Sequence, residues 1–167
     1  MKIKLNSVFG GLIIMKYQTE YASKGLIARA SITINAPIGK VWDALVNPEK
    51  IKQYMFGTNA VSDWKEGSSI IWKGEWEGKK YEDKGVILKL EPGHMIQYSH
   101  FSPLTGQPDM PENYHIVTIE LSSKGIQTLV SLLQDNNAVK KLFAVIRFIS
   151  HSRQLFDREF YGQSSTF

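Results

Sequence analysis

Cysteine is absent from this sequence of 167 residues. Its absence excludes disulfide bonds, thiolate metal sites and a cysteine nucleophile. Long apolar runs are also lacking, since the stretch from Val8 to Met15 is interrupted by Gly10 and Gly11 and is far shorter than the roughly 20 residues that span a bilayer. We therefore expect no membrane span, and cytoplasmic localisation is the default expectation.

The amino-terminal stretch superficially imitates a signal peptide, because Lys2 and Lys4 precede its apolar residues. No small-x-small cleavage site follows closely. We therefore interpret residues 1–20 as a flexible extension or an upstream start, with Met15 as an alternative initiator.

The formal net charge is +4, and most of it lies near the carboxyl terminus. Residues 138–167 contain five basic and two acidic residues, a net of +3: Lys140, Lys141, Arg147, Arg153 and Arg158 against Asp157 and Glu159. A nucleic-acid-binding surface normally has a basic stripe across the folded domain, with interleaved aromatic side chains. None is evident, so we do not expect a nucleic-acid partner.

The first half of the chain predicts one strand followed by two short helices. Residues 26–35 alternate between apolar and polar side chains, which is typical of a half-buried strand. Asn35 and Pro37 then suit the start of a helix. Pro48 ends this helix or starts a second one that runs to Tyr54.

After Gly57, runs at hairpin spacing predict an antiparallel meander. We expect six strands, at residues 58–64, 68–77, 80–91, 94–101, 113–122 and 125–134. Between Phe101 and Asn113 three prolines and a glycine exclude a continuous ladder. This loop is either a lid over a cavity or an inert surface connection.

From Ala138 to about Phe160 the apolar spacing predicts a long helix. Its apolar face consists of Val139, Leu142, Phe143, Ile146 and Ile149. Beyond Ser150 the pattern weakens, which leaves apolar residues such as Phe156 exposed. We therefore predict self-association through this segment, and a homo-oligomer as one partner state. The domain organisation we expect is the extension 1–20, a single domain at 21–160 and a polar tail at 161–167.

Four sequence segments carry a resemblance to a known family. They are the opening helix from Ala36 to Glu49, the run Trp64-Lys65-Glu66-Gly67-Ser68, the stretch from Gly85 to Tyr98, and Leu133-Gln134-Asp135-Asn136-Asn137. In this order and spacing they resemble the START-like (SRPBCC) superfamily, in the branch named after the activator of the heat-shock chaperone's ATPase. The resemblance implies an α+β helix-grip fold, in which a curved antiparallel β-sheet wraps around a long carboxyl-terminal α-helix.

The same resemblance implies a hydrophobic cavity, used across the superfamily for lipids, polyketides, hormones and other apolar ligands. The segment after Asn137 departs from the family pattern, since it is basic and lacks tryptophan. A frameshifted or otherwise altered carboxyl terminus therefore stays open.

Aromatic and aliphatic side chains that alternate along the predicted strands should share one concave face. We predict that fourteen residues line a cavity there and bind a ligand: Phe56, Ile70, Trp72, Trp76, Val86, Leu88, Ile96, Tyr98, His100, Val117, Ile119, Leu142, Phe143 and Ile146. The alternative is a closed core without a void, because protein interiors normally pack densely.

Recognisable catalytic and metal-binding motifs are missing from the sequence. The four histidines show no H-x-x-x-H spacing, and neither G-x-S-x-G nor a phosphate-binding loop occurs. We expect no metal and no cofactor. Catalytic candidates are limited to His100, Tyr98, Asp83 and Glu75, which no motif pairs.

Three functions follow as hypotheses. The favoured one is a non-enzymatic protein that binds a small apolar molecule in the cavity. The second is a protein-interaction module related to the chaperone ATPase activators. The third is an enzyme of cyclase, dehydratase or hydrolase type that uses polar groups inside the same cavity.

Overall fold

The computed structural model describes residues 3–8, 14–22 and 25–137, and the side chains within residues 27–75 and 77–135. In this part the chain forms nine strands and two α-helices. Their bounds are β1 Ile3–Val8, β2 Ile14–Ala22, β3 Gly25–Ile34, α1 Ile38–Val46, α2 Pro48–Tyr54, β4 Asn59–Ser62, β5 Ser69–Trp76, β6 Lys79–Glu91, β7 Met95–His100, β8 His115–Lys124 and β9 Gln127–Asn137.

The strands form a large, curved antiparallel sheet in the order β1-β2-β3-β9-β8-β7-β6-β5-β4. From β4 to β9 each strand pairs with its sequence neighbour, as the hairpin spacing predicts, and β9 then returns to β3. The α+β class, the two short helices and the antiparallel meander are confirmed. The predicted carboxyl-terminal helix lies outside the described residues.

Local sequence determines where the two helices begin. α1 starts directly after Pro37, whose φ of −61° suits the entry to a helix. Asn47 caps α2, because its side-chain oxygen accepts a hydrogen bond of 3.1 Å from the backbone N–H of Glu49. Pro48 takes the first helical position, where its missing N–H has no intrahelical partner in any case.

The core lies between these helices and the inner face of the sheet. One cluster joins β3, β7, β8 and β9 to α1, and a second joins β5 and β6 to α2. Thr128 in β9 is fully buried, and its hydroxyl donates a 2.7 Å hydrogen bond to the carbonyl of Ala36. This bond fixes the start of α1 against the sheet.

The predicted inner face of β6 is wrong in part. Val86 and Leu88 are 39% and 44% exposed, whereas Ile87 between them is fully buried. The register between β6 and β7 shifts between Ile87 and Lys89, and an irregularity of this kind changes which side chains face inward. As a result Ile87 and Leu90 pack toward the core, and simple alternation along the strand fails.

The amino-terminal segment differs from the sequence analysis. β1 lies within residues 1–20, for which we predicted an extension, β2 starts there and ends at Ala22, and both strands continue the sheet beyond β3. The proline-rich connection between β7 and β8 is a loop, as predicted, and contains two short 3-10 helices, Pro103–Thr105 and Pro111–Asn113. The domain boundaries themselves stay a prediction.

Candidate functional site

A cavity of about 90 Å³ lies between the two helices and the inner face of the sheet. The helices supply Val41 and Leu45 from α1, and Ile51 and Tyr54 from α2. The floor is formed by side chains of five strands, which include Ala30, Ile32, Ile34, Ile70, Trp72, Ile96, Tyr98, Ile119, Val130 and Leu132. The wall is therefore almost entirely apolar.

Two tyrosines are the main polar side chains of this wall. Burial raises the pKa of Tyr98, and burial together with the nearby Tyr98 raises the pKa of Tyr54. Both phenols therefore stay protonated at neutral pH. A protonated phenol can donate one hydrogen bond and accept others, so the cavity can orient a ligand that carries one polar group.

Five of the predicted ligand-binding residues line the cavity: Ile70, Trp72, Ile96, Tyr98 and Ile119. They come from β5, β7 and β8, where alternation along the strand predicts the inner face correctly. Trp72 and Tyr98 lie in contact, with ring centroids 5.1 Å apart and planes tilted by 48°. Their role as ligand contacts stays a prediction.

The other predicted residues lie elsewhere. Phe56 is 48% exposed because it follows α2 in a left-handed turn, with φ of 54°. Val117 is buried in the core without reaching the cavity, while Val86 and Leu88 are on the outer face. The side chain of Trp76 and the residues Leu142, Phe143 and Ile146 lie outside the described side chains.

Sequence reasoning missed the contributions of the helices and of the loop after β4. Val41 and Leu45 have the apolar spacing of a helix, but the period of a helix does not say which strand it will cover. Trp64 lines the cavity from the loop between β4 and β5. Its position in the run Trp64-Lys65-Glu66-Gly67-Ser68 was the available signal.

A polar pair lies on the inner face beside this cavity. Asp83 in β6 is directly opposite Trp72 in β5, and His100 Nε2 lies 3.1 Å from Asp83 Oδ2. The pair is largely buried, with 27% of the His100 side chain and 16% of the Asp83 side chain exposed. The sequence named both residues as catalytic candidates, and the structure brings them together.

Aromatic rings surround this pair. The imidazole of His100 meets Trp72 edge to face at 5.3 Å and stacks with His115 at 6.3 Å. His115 is itself positioned by a 3.0 Å hydrogen bond from Nδ1–H to the carbonyl of Asp135. Asp83 Oδ1 is buried without a hydrogen-bond donor among the described residues, which leaves an acceptor available.

The loop between β7 and β8 is tied to the sheet near this polar pair. Lys84 forms an ion pair with Asp109, whose other oxygen accepts a 2.7 Å hydrogen bond from the hydroxyl of Tyr114. Tyr114 also stacks on Phe101 at 5.2 Å. The Lys84 ammonium holds the pKa of Asp109 below its ordinary value, so the tie is present at neutral pH.

Two kinds of feature are absent from the part of the chain that the structure describes. Within residues 3–8, 14–22 and 25–137 there is no group of three or more His, Asp or Glu side chains arranged to hold a metal ion. No helix formed by these residues is long and apolar enough to cross a membrane.

Comparison with known families gives one match that covers most of the chain. The family described as "Activator of Hsp90 ATPase homolog 1-like protein" matches residues 35–154. The match extends past residue 137, so it includes the first part of the segment whose composition departs from the family pattern. No curated protein matches the sequence at a significant level.

Solved structures show the same fold. A protein of Cytophaga hutchinsonii, determined in solution, is 52% identical, covers 84% of this chain and 97% of its own, and superposes with a TM-score of 0.70. CalU16 from Micromonospora echinospora is 19% identical over 98% of this chain and 86% of its own, with a TM-score of 0.64. The Aha1 dimer from Colwellia psychrerythraea is 19% identical over 81% and 97%, with a TM-score of 0.62.

Proposed function

Because the chain belongs to the family of proteins like activator of Hsp90 ATPase homolog 1, in the START-like superfamily, we propose that it binds a small apolar molecule in the cavity between helices and sheet. The observation that carries this proposal is the cavity wall. It combines many apolar side chains with two tyrosines, Tyr54 and Tyr98, and ligand sites typically have this composition.

Ligand extraction tests the proposal directly. Gently purified protein should release a bound apolar compound that mass spectrometry of an organic extract detects, and hydrophobic compounds should raise its unfolding temperature by mass action. Ala30→Leu would fill the cavity and should abolish both effects. Ala28→Leu is the matched control, because Ala28 is a buried residue of the same strand outside the cavity wall. Absence of both effects in the unmodified protein would overturn the proposal.

A cavity enzyme is the second candidate, and the Asp83–His100 pair favours it. Asp83 can hold the imidazole so that Nε2 carries the proton, which leaves Nδ1 of His100 as a base. Removal of a proton from a ligand hydroxyl or an activated C–H would begin cyclase or dehydratase chemistry, and removal of a proton from an attacking water molecule would begin hydrolysis.

Two histidine variants test this candidate. Extracted ligand and a panel of hydroxylated and esterified aromatic compounds would be incubated with the protein, and conversion would be followed by mass spectrometry. His100→Gln should abolish any conversion, whereas His94→Gln should leave it unchanged because His94 is exposed in a turn. Conversion that survives His100→Gln would remove His100 from the reaction.

A protein-interaction module is the remaining alternative, and the name of the family supports it. The decisive measurement is the ATPase rate of Hsp90 with saturating amounts of this protein. Stimulation would favour the interaction module, and an unchanged rate would exclude it.

The cytoplasmic location and the contacts of Leu142, Phe143 and Ile146 with a ligand stay predictions, because the described residues do not test them.

We also propose self-association through the carboxyl-terminal segment. The Aha1 dimer from Colwellia psychrerythraea shows that a protein with this fold can form a dimer. Deletion of residues 151–167 should shift the sedimentation velocity profile toward monomer, because it removes Leu155, Phe156 and Phe160. An unchanged monomeric profile before and after deletion would refute this proposal.

A further inference from the structure

The cavity is too small for the kind of ligand that its apolar and aromatic wall would suit. At about 90 Å³ it is smaller than the engineered cavity of about 150 Å³ that binds benzene, and pockets for drug-sized ligands have volumes of ~300 Å³ or more. A ring-sized ligand enclosed by this wall therefore requires part of the wall to move.

Most of the wall is built into regular elements that cannot move cheaply. Val41, Ile70 and Ile96 are at most 2% exposed and lie in a helix or in paired strands. A shift of any of them would break close packing or ladder hydrogen bonds. The loop between β4 and β5 is different, because it contributes a single residue, Trp64, to the wall.

Trp64 has an unusual backbone conformation. Its φ of 53° lies in the left-handed region, which is rare for bulky residues and strains the backbone. Among the described non-glycine residues Phe56 and Glu77 also have positive φ, but neither lines the cavity. Trp64 is thus the wall residue that combines a large ring with a strained backbone.

Side-chain hydrogen bonds hold Trp64 in this conformation. The hydroxyl of Ser62 accepts a 3.1 Å hydrogen bond from the backbone N–H of Trp64 and lies 3.2 Å from the hydroxyl of Ser68. Ser68 in turn accepts from the backbone N–H of Lys65 at 3.2 Å and donates to its carbonyl at 2.7 Å. These bonds are exchangeable with water, because Lys65 and Trp64 are not fully buried.

The far side of the same loop is fixed to β6. Gly67 and Ser68 form backbone hydrogen bonds of 2.8 and 2.9 Å with Ile87, and Glu66 accepts a 3.0 Å hydrogen bond from the N–H of Leu90. A displacement of Trp64 would therefore be confined to residues 63–65. It would take the indole, which packs against both core clusters, out of the cavity while the loop keeps its attachment.

We infer that Trp64 determines the size of the ligand, with its indole occupying the place that a flat aromatic ligand of similar size takes on binding. The remaining wall supports this ligand class, since Tyr54, Trp72 and Tyr98 provide aromatic surfaces for stacking or edge contacts. The inference rests on the proposed ligand-binding function. Release of the left-handed strain on binding would offset part of the energy needed to expose the indole.

A stability comparison tests the strain separately from any ligand. Trp64→Gly and Trp64→Ala both remove the indole, but only glycine adopts positive φ without steric conflict. Trp64→Gly should therefore unfold at a temperature equal to or above that of Trp64→Ala. At Trp72, which lines the same cavity from a paired strand, the glycine variant should unfold at the lower temperature. The same order at both positions would overturn the strain argument.

Binding of indole and of benzene, measured by calorimetry, tests the role in ligand size. Trp64→Ala should bind indole at least about tenfold more tightly than the unmodified protein does, because ~1.4 kcal/mol of displacement energy no longer opposes binding. The ratio of the affinity for indole to the affinity for benzene should also be higher in Trp64→Ala than in the unmodified protein. Trp64→Phe, which keeps a smaller ring, should be intermediate and serves as the variant most certain to fold.

Fluorine NMR of 5-fluorotryptophan-labelled protein would show the displacement itself. The chain has four tryptophans, and Trp64→Phe identifies the resonance of Trp64. Indole should move that resonance toward its value in unfolded protein. Equal affinities and an unmoved resonance would overturn the inference while leaving the proposed function intact. Binding by Trp64→Ala but not by the unmodified protein would show that the indole is not displaced, and would also overturn the inference. Binding by neither the unmodified protein nor any variant would overturn both the inference and the proposed function.

Discussion

Gly85 in β6 lies against the backbone carbonyl of Ser99 in β7, so closely that a Cβ atom on Gly85 would be 1.7 Å from that oxygen. No side chain fits in this space, since real Cβ atoms do not approach heavy atoms within 3.0 Å. The obstacle is backbone rather than a flexible side chain. The two strands can therefore keep this approach only while residue 85 is glycine.

Gly85→Ala should destabilise the protein by about 3 kcal/mol, because the strands must separate next to the irregular β6–β7 pairing. Urea unfolding measures the change. The matched control is Gly39→Ala in α1, where nothing lies within 4 Å of the new Cβ. That substitution should stabilise by about 0.5–1 kcal/mol, since alanine is the better helix former. Similar effects at the two positions would contradict the close approach.

Thr128→Val should cost about 1–3 kcal/mol, because it removes the buried hydrogen bond to the carbonyl of Ala36 and leaves that oxygen without its donor. Thr118→Val is the comparison, since the hydroxyl of Thr118 accepts a 2.9 Å hydrogen bond from Gln97 in a partly buried setting. Thr118→Val should lower the free energy of unfolding by about 0.5–1 kcal/mol. Chemical denaturation of both variants measures the two losses, and a larger loss for Thr118→Val would refute the prediction.

Ala30→Leu should leave stability unchanged or raise it, because the added carbons enter an existing cavity and gain up to about 0.8 kcal/mol for each buried methylene. Ala28→Leu should destabilise by about 1–3 kcal/mol, since Ala28 is buried on the same strand but is not among the residues that line the cavity. Thermal unfolding of the two variants distinguishes a real void from a closed core. Equal destabilisation would indicate that no void exists.

Acid should weaken the contact between the two helices. A hydrogen bond from Lys50 lowers the pKa of Asp43 below its ordinary value of 3.8, with Asn47 as the second cause. Because the pKa of Asp43 is lower in the folded protein than in the unfolded protein, its ionised carboxylate stabilises the fold at pH values above the unfolded-state pKa. This contribution disappears as the pH falls through the folded-state pKa. Asp43→Asn should therefore be slightly less stable at neutral pH.

The difference between wild type and Asp43→Asn should be small, because the 2.8 Å ion pair with Lys50 is partly exposed and is screened by salt. This difference in the free energy of unfolding should disappear at a pH below the folded-state pKa of Asp43. In protein that carries Lys50→Met it should be absent at every pH. Denaturant unfolding across this pH range provides the test. A difference that persists in acid would assign the effect to packing.

Local sequence alone predicts the elements that depend on neighbours along the chain. The alternation in β3 assigns Ala28, Ala30 and Ile32 to the buried face, since one half-buried face imposes a period of two. Pro37 and Pro48 mark the two helix starts because their restricted φ and missing N–H act within one turn. The six predicted strands after Gly57 all correspond to β4–β9 for the same reason.

Only the tertiary structure decides which groups meet. The inner face of β6 depends on its irregular pairing with β7, so Ile87 is buried where alternation favours Val86 and Leu88. Asp83 and His100 come from different strands and become partners only when those strands align. These features depend on contacts between distant parts of the chain, and the period of a single strand or helix contains no information about its partner.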